Sequence, residues 1–165
     1  MLKKLHFPLI SEFYDGWRQD VSRRHSETTP LYIGAEQENP VQLNAHDWMP
    51  PSEGGIPPWN QPHISRRQIG NGTWHIHAAR AGLYALTLRE RPAVANSPLT
   101  ATTAKLRITG MEDLSQPVSE GANGVRFEVD LAEGRTQIKT WLDESNGVSR
   151  GAYFVDVEHL DSEDK

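Results

Sequence analysis

Hydrophobic and polar residues alternate along most of the chain. In the clearest run, Val125, Phe127, Val129 and Leu131 are separated by single charged residues. Shorter runs of the same kind lie at 41–45, 74–78, 84–88, 106–108, 138–142 and 153–157. Successive side chains of a strand point to opposite faces, so this period indicates strands with one buried and one wetted face. About seven or eight such strands predict a mainly β protein, an antiparallel β-sandwich of jelly-roll type.

Glycine-containing turns separate these runs. Ala81-Gly82 and Glu133-Gly134 each fall between two runs, and each predicts a hairpin. Asn123-Gly124 and Asn146-Gly147 mark two further turns. The chain has 13 glycines and 11 prolines among 165 residues, a proportion that suits a turn-rich β protein.

Helical spacing is clear near the N-terminus, where it predicts a helix over residues 9–24 with Ser11 as a candidate cap. The apolar residues that recur at this spacing are Phe13, Tyr14, Trp17 and Val21. We expect this aromatic side to pack against a partner. The predicted organisation is a helical segment at 1–28, a β-sandwich at 29–160 and an acidic tail at 161–165.

Residues 46–63 depart from the strand pattern. This stretch contains five prolines and two glycines, and it exceeds the roughly 12–15 residues beyond which loops are usually functional or disordered. Its two tryptophans argue against disorder, because aromatic residues are depleted in disordered segments. Tryptophan rings can also stack on sugars, while nearby amides and carboxylates bind the hydroxyl groups. The candidate ligand-binding residues are His46, Asp47, Trp48, Trp59, Asn60, Gln61 and His63. The alternative is that both tryptophans fold back and fasten the loop to the sandwich.

Two histidines form a second candidate set. His75 and His77 lie one residue apart on a predicted strand, so their side chains face the same way and could reach one metal ion. A third ligand would have to come from His46, His63 or Glu90. Two histidines that simply face solvent explain the pattern without a metal, and we assign no metal ligand.

Four carboxylates on neighbouring predicted strands form a third set. They are Glu128, Asp130, Asp156 and Glu158. Paired carboxylates can serve glycoside hydrolysis or bind calcium, but these four fall on faces that we expect to be solvated. The sequence also lacks the nucleophile elbow, the phosphate-binding loop and the dinucleotide fingerprint, so we assign no catalytic residue.

Charge and composition argue against several classes of function. The chain has 17 basic and 22 acidic residues, a net charge of −5, whereas nucleic-acid-binding domains usually show a basic excess. It has no cysteine, which excludes disulfides and thiolate metal sites. No apolar run approaches the roughly 20 residues that span a bilayer. We therefore expect neither a nucleic acid nor a membrane as partner.

A series of short motifs follows a fixed order over residues 12–160. The motifs are Tyr14-Asp15-x-Trp17, Ile33-Gly34, Glu38-Asn39-Pro40, His46-Asp47-Trp48, Pro58-Trp59-Asn60-Gln61-Pro62-His63-Ile64, Gly72-x-Trp74, Ala81-Gly82-x-Tyr84-x-Leu86-x-Leu88-Arg89 and Ser149-Arg150-Gly151-Ala152-Tyr153. This series resembles the C-terminal region of bacterial sulfatases of the arylsulfatase type. In that family a helix at the end of the catalytic domain is followed by a β-rich extension.

The resemblance implies a supporting role beside a catalytic domain. Sulfatases use a formylglycine made from a Cys/Ser-x-Pro-x-Arg motif, next to a calcium ion, and both lie in their catalytic domain. The nearest string here, Ser115-Gln116-Pro117-Val118-Ser119, has serine where arginine is required. The expectation is a sulfatase accessory domain that is inactive alone, holds no cofactor, binds the catalytic domain and contacts a sulfated glycan.

Two other functions remain open. One is a free-standing carbohydrate-binding module that uses the same tryptophans, and the other is a small metal enzyme built on His75 and His77. The resemblance also implies a periplasmic or secreted location. An uncovered docking face would favour homo-oligomers, because large apolar patches rarely stay exposed.

Overall fold

Two facing β-sheets form the body of the protein. The computed structural model describes residues 6–23, 28–49 and 56–160. The elements are α1 (His6–Arg23), β1 (Leu31–Ile33), β2 (Val41–Asn44), α2 (Gln61–Ser65), β3 (Thr73–Ala78), β4 (Gly82–Arg89), β5 (Thr103–Ile108), β6 (Leu114–Pro117), β7 (Val125–Leu131), β8 (Gly134–Asp143), β9 (Ser149–Arg150) and β10 (Phe154–His159). Single turns of 3-10 helix lie at Ala45–Asp47 and Ala93–Ala95.

The strands divide between a six-stranded and a four-stranded sheet. The first has the order β1-β3-β8-β5-β6, with β9 paired to β8, and the second has the order β2-β10-β4-β7. Neighbouring strands are antiparallel, apart from the parallel pair β1 and β3. The predicted class, a mainly β, jelly-roll-like sandwich with an N-terminal helix, is confirmed.

The alternating runs place their apolar side chains between the sheets. β7 alternates buried and exposed residues at every position. Trp74 and Ile138 from the six-stranded sheet meet Tyr84 and Phe127 from the four-stranded sheet in one buried cluster. Removing this apolar surface from water is the main force that holds the two sheets together.

Both predicted hairpins are wrong. Ala81-Gly82 and Glu133-Gly134 join consecutive strands, but β3 and β8 belong to the six-stranded sheet whereas β4 and β7 belong to the four-stranded one. Each turn therefore carries the chain from one sheet to the other. Gly82 and Gly134 adopt φ values of +145° and +122°, which residues with a Cβ rarely reach. The Asn146-Gly147 signal does correspond to a hairpin, between β8 and β9.

Three short strands carry no signal in the sequence. β1 and β9 have three and two residues, too few for a period of two to show, and β6 has one apolar residue followed by Ser115, Gln116 and Pro117. The acidic tail predicted at 161–165 lies outside the described residues, as do positions 50–55 of the predicted loop.

The N-terminal helix begins earlier than predicted. It starts at His6, so Ser11 lies inside the helix and does not cap it. Pro8 falls in the first turn, where a missing backbone N–H costs nothing. Phe13 and Trp17 are 75% and 60% exposed, and no described residue covers this aromatic side. Neither helix of the described ranges is long and apolar enough to cross a membrane.

Trp48 anchors the segment after β2 in the core. Its side chain is 3% exposed and meets Trp74 edge-on, with ring centroids 5.6 Å apart. Two backbone hydrogen bonds between Met49 and Thr73, of 2.9 and 3.0 Å, hold the next residue against β3. A tryptophan buried in this way contributes more to stability than an aliphatic side chain, because it removes more apolar surface from water.

Two glycines make room for the Trp48 ring. A Cβ at Gly72 would lie 2.4 Å from the Cβ of Trp48, and a Cβ at Gly151 would lie 2.7 Å from the ring. Neither distance is compatible with a side chain. The indole therefore occupies a slot that only glycine can border on these two sides.

A buried ion-pair network ties the end of β4 to the hairpin of β8 and β9. Arg150 is 2% exposed and donates hydrogen bonds to Glu90 at 2.7 Å and to Glu144 at 2.5 Å. The Thr100 hydroxyl donates to the same Glu90 oxygen at 2.9 Å. The two carboxylates compensate the charge of the guanidinium, which would be strongly unfavourable in the interior without a partner.

Replacing Trp48 should destabilise the protein far more than replacing Trp59. Trp48→Ala empties a slot in the core, so we expect a loss of about 3–5 kcal/mol in the free energy of unfolding. Trp59→Ala removes a 59% exposed side chain and should cost about 0.5 kcal/mol or less. Urea unfolding of both variants checks this. Equal losses would contradict the anchoring role of Trp48.

Acid should weaken the Arg150 network through Glu144. The hydrogen bond from Arg150 holds the pKa of Glu144 below its usual value. A lowered pKa contributes stability above the unfolded-state value, and this contribution is lost as pH falls through the folded-state value. Glu144→Gln should therefore cost about 1.5–3 kcal/mol at neutral pH, and the deficit should shrink in acid.

The control for this experiment is Glu120→Gln, which removes the same charge from an exposed loop. Unfolding free energies of the three proteins are measured by urea titration across the acid range. If the unfolding free energies of the wild type and Glu144→Gln differed by the same amount at every pH, the proposed dependence on the ionisation of Glu144 would be contradicted.

Candidate functional site

An open groove lies at one end of the four-stranded sheet, where β2 and β4 end and β10 begins. β10 runs antiparallel to both neighbours, and Phe154 lies opposite Asn44 on one side and Arg89 on the other. The chain segments after β2 and β4 therefore meet at the same end. Together with the segment that enters α2, they border a cavity of 610 Å³, which we call the aromatic groove. Its lining residues are Asn44, Ala45, His46, Asp47, Pro58, Trp59, Asn60, Gln61, Ile64, Arg91, Pro92, Val94, Ala95, Tyr153 and Phe154.

A short helix shapes one wall of the aromatic groove. The sequence predicted an irregular loop here, but Gln61–Ser65 forms α2. Asn60 caps it, because its side-chain oxygen accepts a hydrogen bond from the His63 backbone N–H at 2.9 Å. Pro62 lies in the first turn, which needs no N–H donor. The Asn-x-Pro pattern is a helix-start signal that could have been used to find α2.

Trp59 stands at the rim of the groove with much of its ring in solvent. It is 59% exposed. The His63 ring meets it edge-on, with centroids 5.4 Å apart and an angle of 89° between the planes. The Trp59 backbone N–H also points to the His63 Nδ1 at 3.5 Å. His63 thus contacts Trp59 but is not itself among the residues that line the cavity. Much of the indole surface remains open to solvent.

Polar groups surround the indole on several elements. Asp47 and His46 are exposed on the 3-10 turn after β2, and Gln61 is exposed on α2. Arg91 is half-buried on the opposite segment, after β4. A carboxylate, an amide and a guanidinium provide both acceptors and donors for hydroxyl groups.

Tyr153 contributes a neutral wall. Its side chain is 1% exposed, and its hydroxyl donates to the Gln68 carbonyl at 2.8 Å. Burial raises the pKa of Tyr153 to about 12, so the phenol stays protonated at neutral pH. Tyr153 therefore shapes the cavity. Its hydroxyl proton is held by the Gln68 carbonyl and does not ionise near neutral pH, so it does not serve acid–base chemistry.

The structure divides the seven predicted ligand residues into three groups. His46, Asp47, Trp59, Asn60 and Gln61 line the aromatic groove. His63 holds Trp59 in place. Trp48 does not reach the groove, because its ring lies in the core, so it cannot stack on a ligand.

Other lining residues carried no sequence signal. Arg91 and Val94 follow β4, about thirty residues from the predicted loop, and Val94 is 95% exposed at the rim. Phe154 begins β10. Only the pairing of β10 between β2 and β4 brings these positions together, and a single sequence does not reveal this pairing.

The histidine pair does not form a metal centre with its suggested third ligands. His75 and His77 do share a face of β3, as predicted. Within residues 6–23, 28–49 and 56–160, no group of three histidine, aspartate or glutamate side chains could hold a metal ion. Glu90 is buried against Arg150, and His63 packs on Trp59.

Three of the four predicted carboxylates, Glu128, Asp156 and Glu158, form ion pairs with arginines. Arg126 lies 3.2 Å from Glu128 and 3.6 Å from Glu158. Asp156 accepts a hydrogen bond from Arg89 at 2.7 Å. These residues lie on the outer face of the four-stranded sheet, where arginine partners account for three of the acidic positions and Asp130 is exposed to solvent.

The sequence matches no protein-family model and no curated protein. Among solved structures, it is similar to a family 35 carbohydrate-binding module from Clostridium thermocellum, at 7% identity over 72% of this chain and 98% of that one, with a TM-score of 0.46. The corresponding module from Cellvibrio japonicus Abf62 is 16% identical over 74% of this chain and 98% of that one, with a TM-score of 0.41. The GH26-CBM35 β-(1,4)-mannanase of Podospora anserina is 15% identical over 75% of this chain, with a TM-score of 0.46. The chain spans only 28% of the length of that mannanase.

The resemblance to the C-terminal region of sulfatases is wrong. The solved structures compared above are two carbohydrate-binding modules and a mannanase, and none of the three is a sulfatase. The motifs that suggested sulfatases have local structural roles here, since Trp48 anchors a segment in the core and Asn60 caps a helix. The expected partnership with a sulfatase catalytic domain loses its basis as well.

Removing the cap of α2 should loosen this wall of the groove. Asn60→Ala deletes the side-chain acceptor of the His63 N–H and leaves only the Asn60 carbonyl at 3.1 Å, and the loss of such a cap costs about 1 kcal/mol. We expect faster hydrogen exchange at the His63 amide, while the β7 amides stay protected. Asn60→Asp keeps an acceptor and should preserve the protection. Unchanged exchange in Asn60→Ala would show that the cap does not order this segment.

Proposed function

We propose that this chain is a carbohydrate-binding module that holds a glycan in the aromatic groove. The observation that carries the proposal is the Trp59 ring, exposed at the rim and held edge-on by His63. A supported indole of this kind presents a rigid apolar face, which the C–H groups of a sugar ring can cover. Little conformational entropy is lost on binding, because the ring is already fixed.

The polar residues of the groove supply the second requirement for sugar recognition. Asp47 accepts hydrogen bonds from sugar hydroxyls, and Arg91 donates them. The Asn60 oxygen is used for capping, so its amide NH2 group is the part left to donate to a ligand. Directional bonds of this type orient a sugar that the indole face binds with little selectivity.

The open shape of the groove fits a segment of a polymer better than a small enclosed ligand. Its volume of 610 Å³ lies within the usual range of ligand pockets, about 300–1,000 Å³. Three separate chain segments border it, and Val94 and Trp59 stand exposed on its rim. A glycan chain can therefore enter and leave the groove while two or more sugar units contact it.

A binding assay with matched tryptophan variants tests this proposal. The full chain is titrated with neutral polysaccharides such as galactomannan, xylan and β-glucan, by affinity electrophoresis and calorimetry. Trp59→Ala should weaken binding about tenfold or more, equivalent to at least about 1.4 kcal/mol. Trp59→Phe retains a ring and should lose less.

The control is Trp17→Ala, which removes an equally exposed indole from α1, outside the groove. It should leave the affinity unchanged. Equal losses in the two alanine variants, or no binding of any neutral glycan by the wild type, would overturn the proposal.

A further inference from the structure

The outer face of the six-stranded sheet carries a cluster of cations and aromatic rings. Alternate residues of β8 and β5 are buried in the core, including Ile138, Leu142 and Leu106, so the residues between them point away from it. We call the resulting surface the basic face. Its defining residues are Tyr32, Lys105, Arg107, Arg135, Lys139 and Trp141.

Strand pairing makes the basic face continuous. Arg107 lies opposite Lys139, and Lys105 lies opposite Trp141, across the β5–β8 pair. At the other side, His77 on β3 pairs with both Tyr32 and Arg135. Neighbouring strands are about 4.8 Å apart, so these side chains form one surface across four strands.

The basic face has unbalanced positive charge. Lys105 is neutralised by Asp143 at 2.7 Å, and Arg107 is neutralised by Asp113. Among the described residues, no carboxylate forms an ion pair with Arg135 or Lys139. The chain as a whole has a net charge of −5, so these two cations are a local exception to its acidic character.

Aromatic rings lie beside the cations. The Arg107 guanidinium and the Lys139 ammonium lie 5.0 and 5.4 Å from the centre of the Trp141 ring. Tyr32 is 61% exposed and leans on His77, with ring centroids 4.7 Å apart. A hollow of 670 Å³ adjoins Tyr32 and Arg135, whereas a second hollow of 700 Å³ beside Trp141 is also lined by Asp113, Asp143 and Glu144.

We infer that the basic face is a second binding site, for an anionic polysaccharide. Arg135 and Lys139 bind carboxylate or sulfate groups, while Tyr32 and Trp141 contact the sugar rings that bear them. A glycan with one anionic group per sugar suits two cations that lack a carboxylate partner in the described part of the chain, although Lys139 also lies over the Trp141 ring. Nucleic acid fits less well, because duplex DNA carries one charge per about 1.7 Å and would be repelled by the acidic remainder of the chain.

This site is separate from the aromatic groove. The groove lies at one end of the four-stranded sheet, and the basic face covers the outside of the other sheet. The inference therefore does not rest on the proposed function. Trp59→Ala should leave binding at the basic face within about twofold of the wild type.

The test uses polygalacturonate and chondroitin sulfate as anionic probes. Galactomannan and a single-stranded oligonucleotide serve as comparisons. The full chain should bind at least one anionic polysaccharide at low salt and lose affinity as salt screens the charges. The double variant Arg135→Gln/Lys139→Gln should bind that probe about tenfold more weakly or worse. Polygalacturonate and chondroitin sulfate distinguish carboxylate from sulfate recognition.

Two further double variants make the result specific. Arg18→Gln/Arg126→Gln changes the net charge equally at positions outside the basic face, and it should bind like the wild type. Arg135→Lys/Lys139→Arg keeps both charges and should retain most of the affinity. Thermal unfolding of all variants confirms that they fold alike.

Five outcomes would overturn the inference. Four of them are no binding of either anionic polysaccharide, equal binding of galactomannan at this face, equal losses in the two charge-removing variants, and tighter binding of the oligonucleotide than of the polysaccharides. Loss of anionic binding in Trp59→Ala would instead assign the anion to the aromatic groove, and this too would overturn the inference.

Discussion

The packing of Trp48 between the two sheets fixes the geometry of the end of the sandwich that carries the aromatic groove. Its ring contacts Trp74 on one sheet and lies near Tyr153, which directly precedes β10 of the other sheet. Gly72 and Gly151 leave the space that the indole fills. The chain on both sides of Trp48 is thereby held in place, including the 3-10 turn that presents Asp47.

The groove depends on this anchor and on sheet topology together. Because β10 lies between β2 and β4, three distant parts of the chain emerge at one end. The Arg150 network braces the end of β4, directly before the segment that carries Arg91. Rigid strands thus hold loops whose exposed side chains are free to bind, a division of roles that is common in ligand-binding β proteins.

Much of the fold could be predicted from the sequence, because long strands with one wetted face show a period of two. The run from Val125 to Leu131 became β7 with its predicted bounds. Sheet membership could not be predicted in the same way. A turn such as Ala81-Gly82 looks the same whether it closes a hairpin or crosses between sheets, and only the pairing of the flanking strands decides between them.

The candidate site shows the same limit. Residue types identified the loop that contains Trp59, but they could not distinguish an exposed indole from a buried one. Trp48 and Trp59 occupy similar surroundings in the sequence, yet one is 3% and the other 59% exposed. The difference comes from tertiary partners, namely Gly72 and Gly151 for Trp48 and His63 for Trp59.

The most direct test of this account is to follow the indole N–H signals of the five tryptophans by NMR while a neutral glycan is added. The account predicts that the Trp59 signal shifts with saturation, while the signals of Trp48 and Trp74 stay unchanged in the core. Shifts at Trp141 or Trp17 without a shift at Trp59 would place the glycan elsewhere and contradict the account.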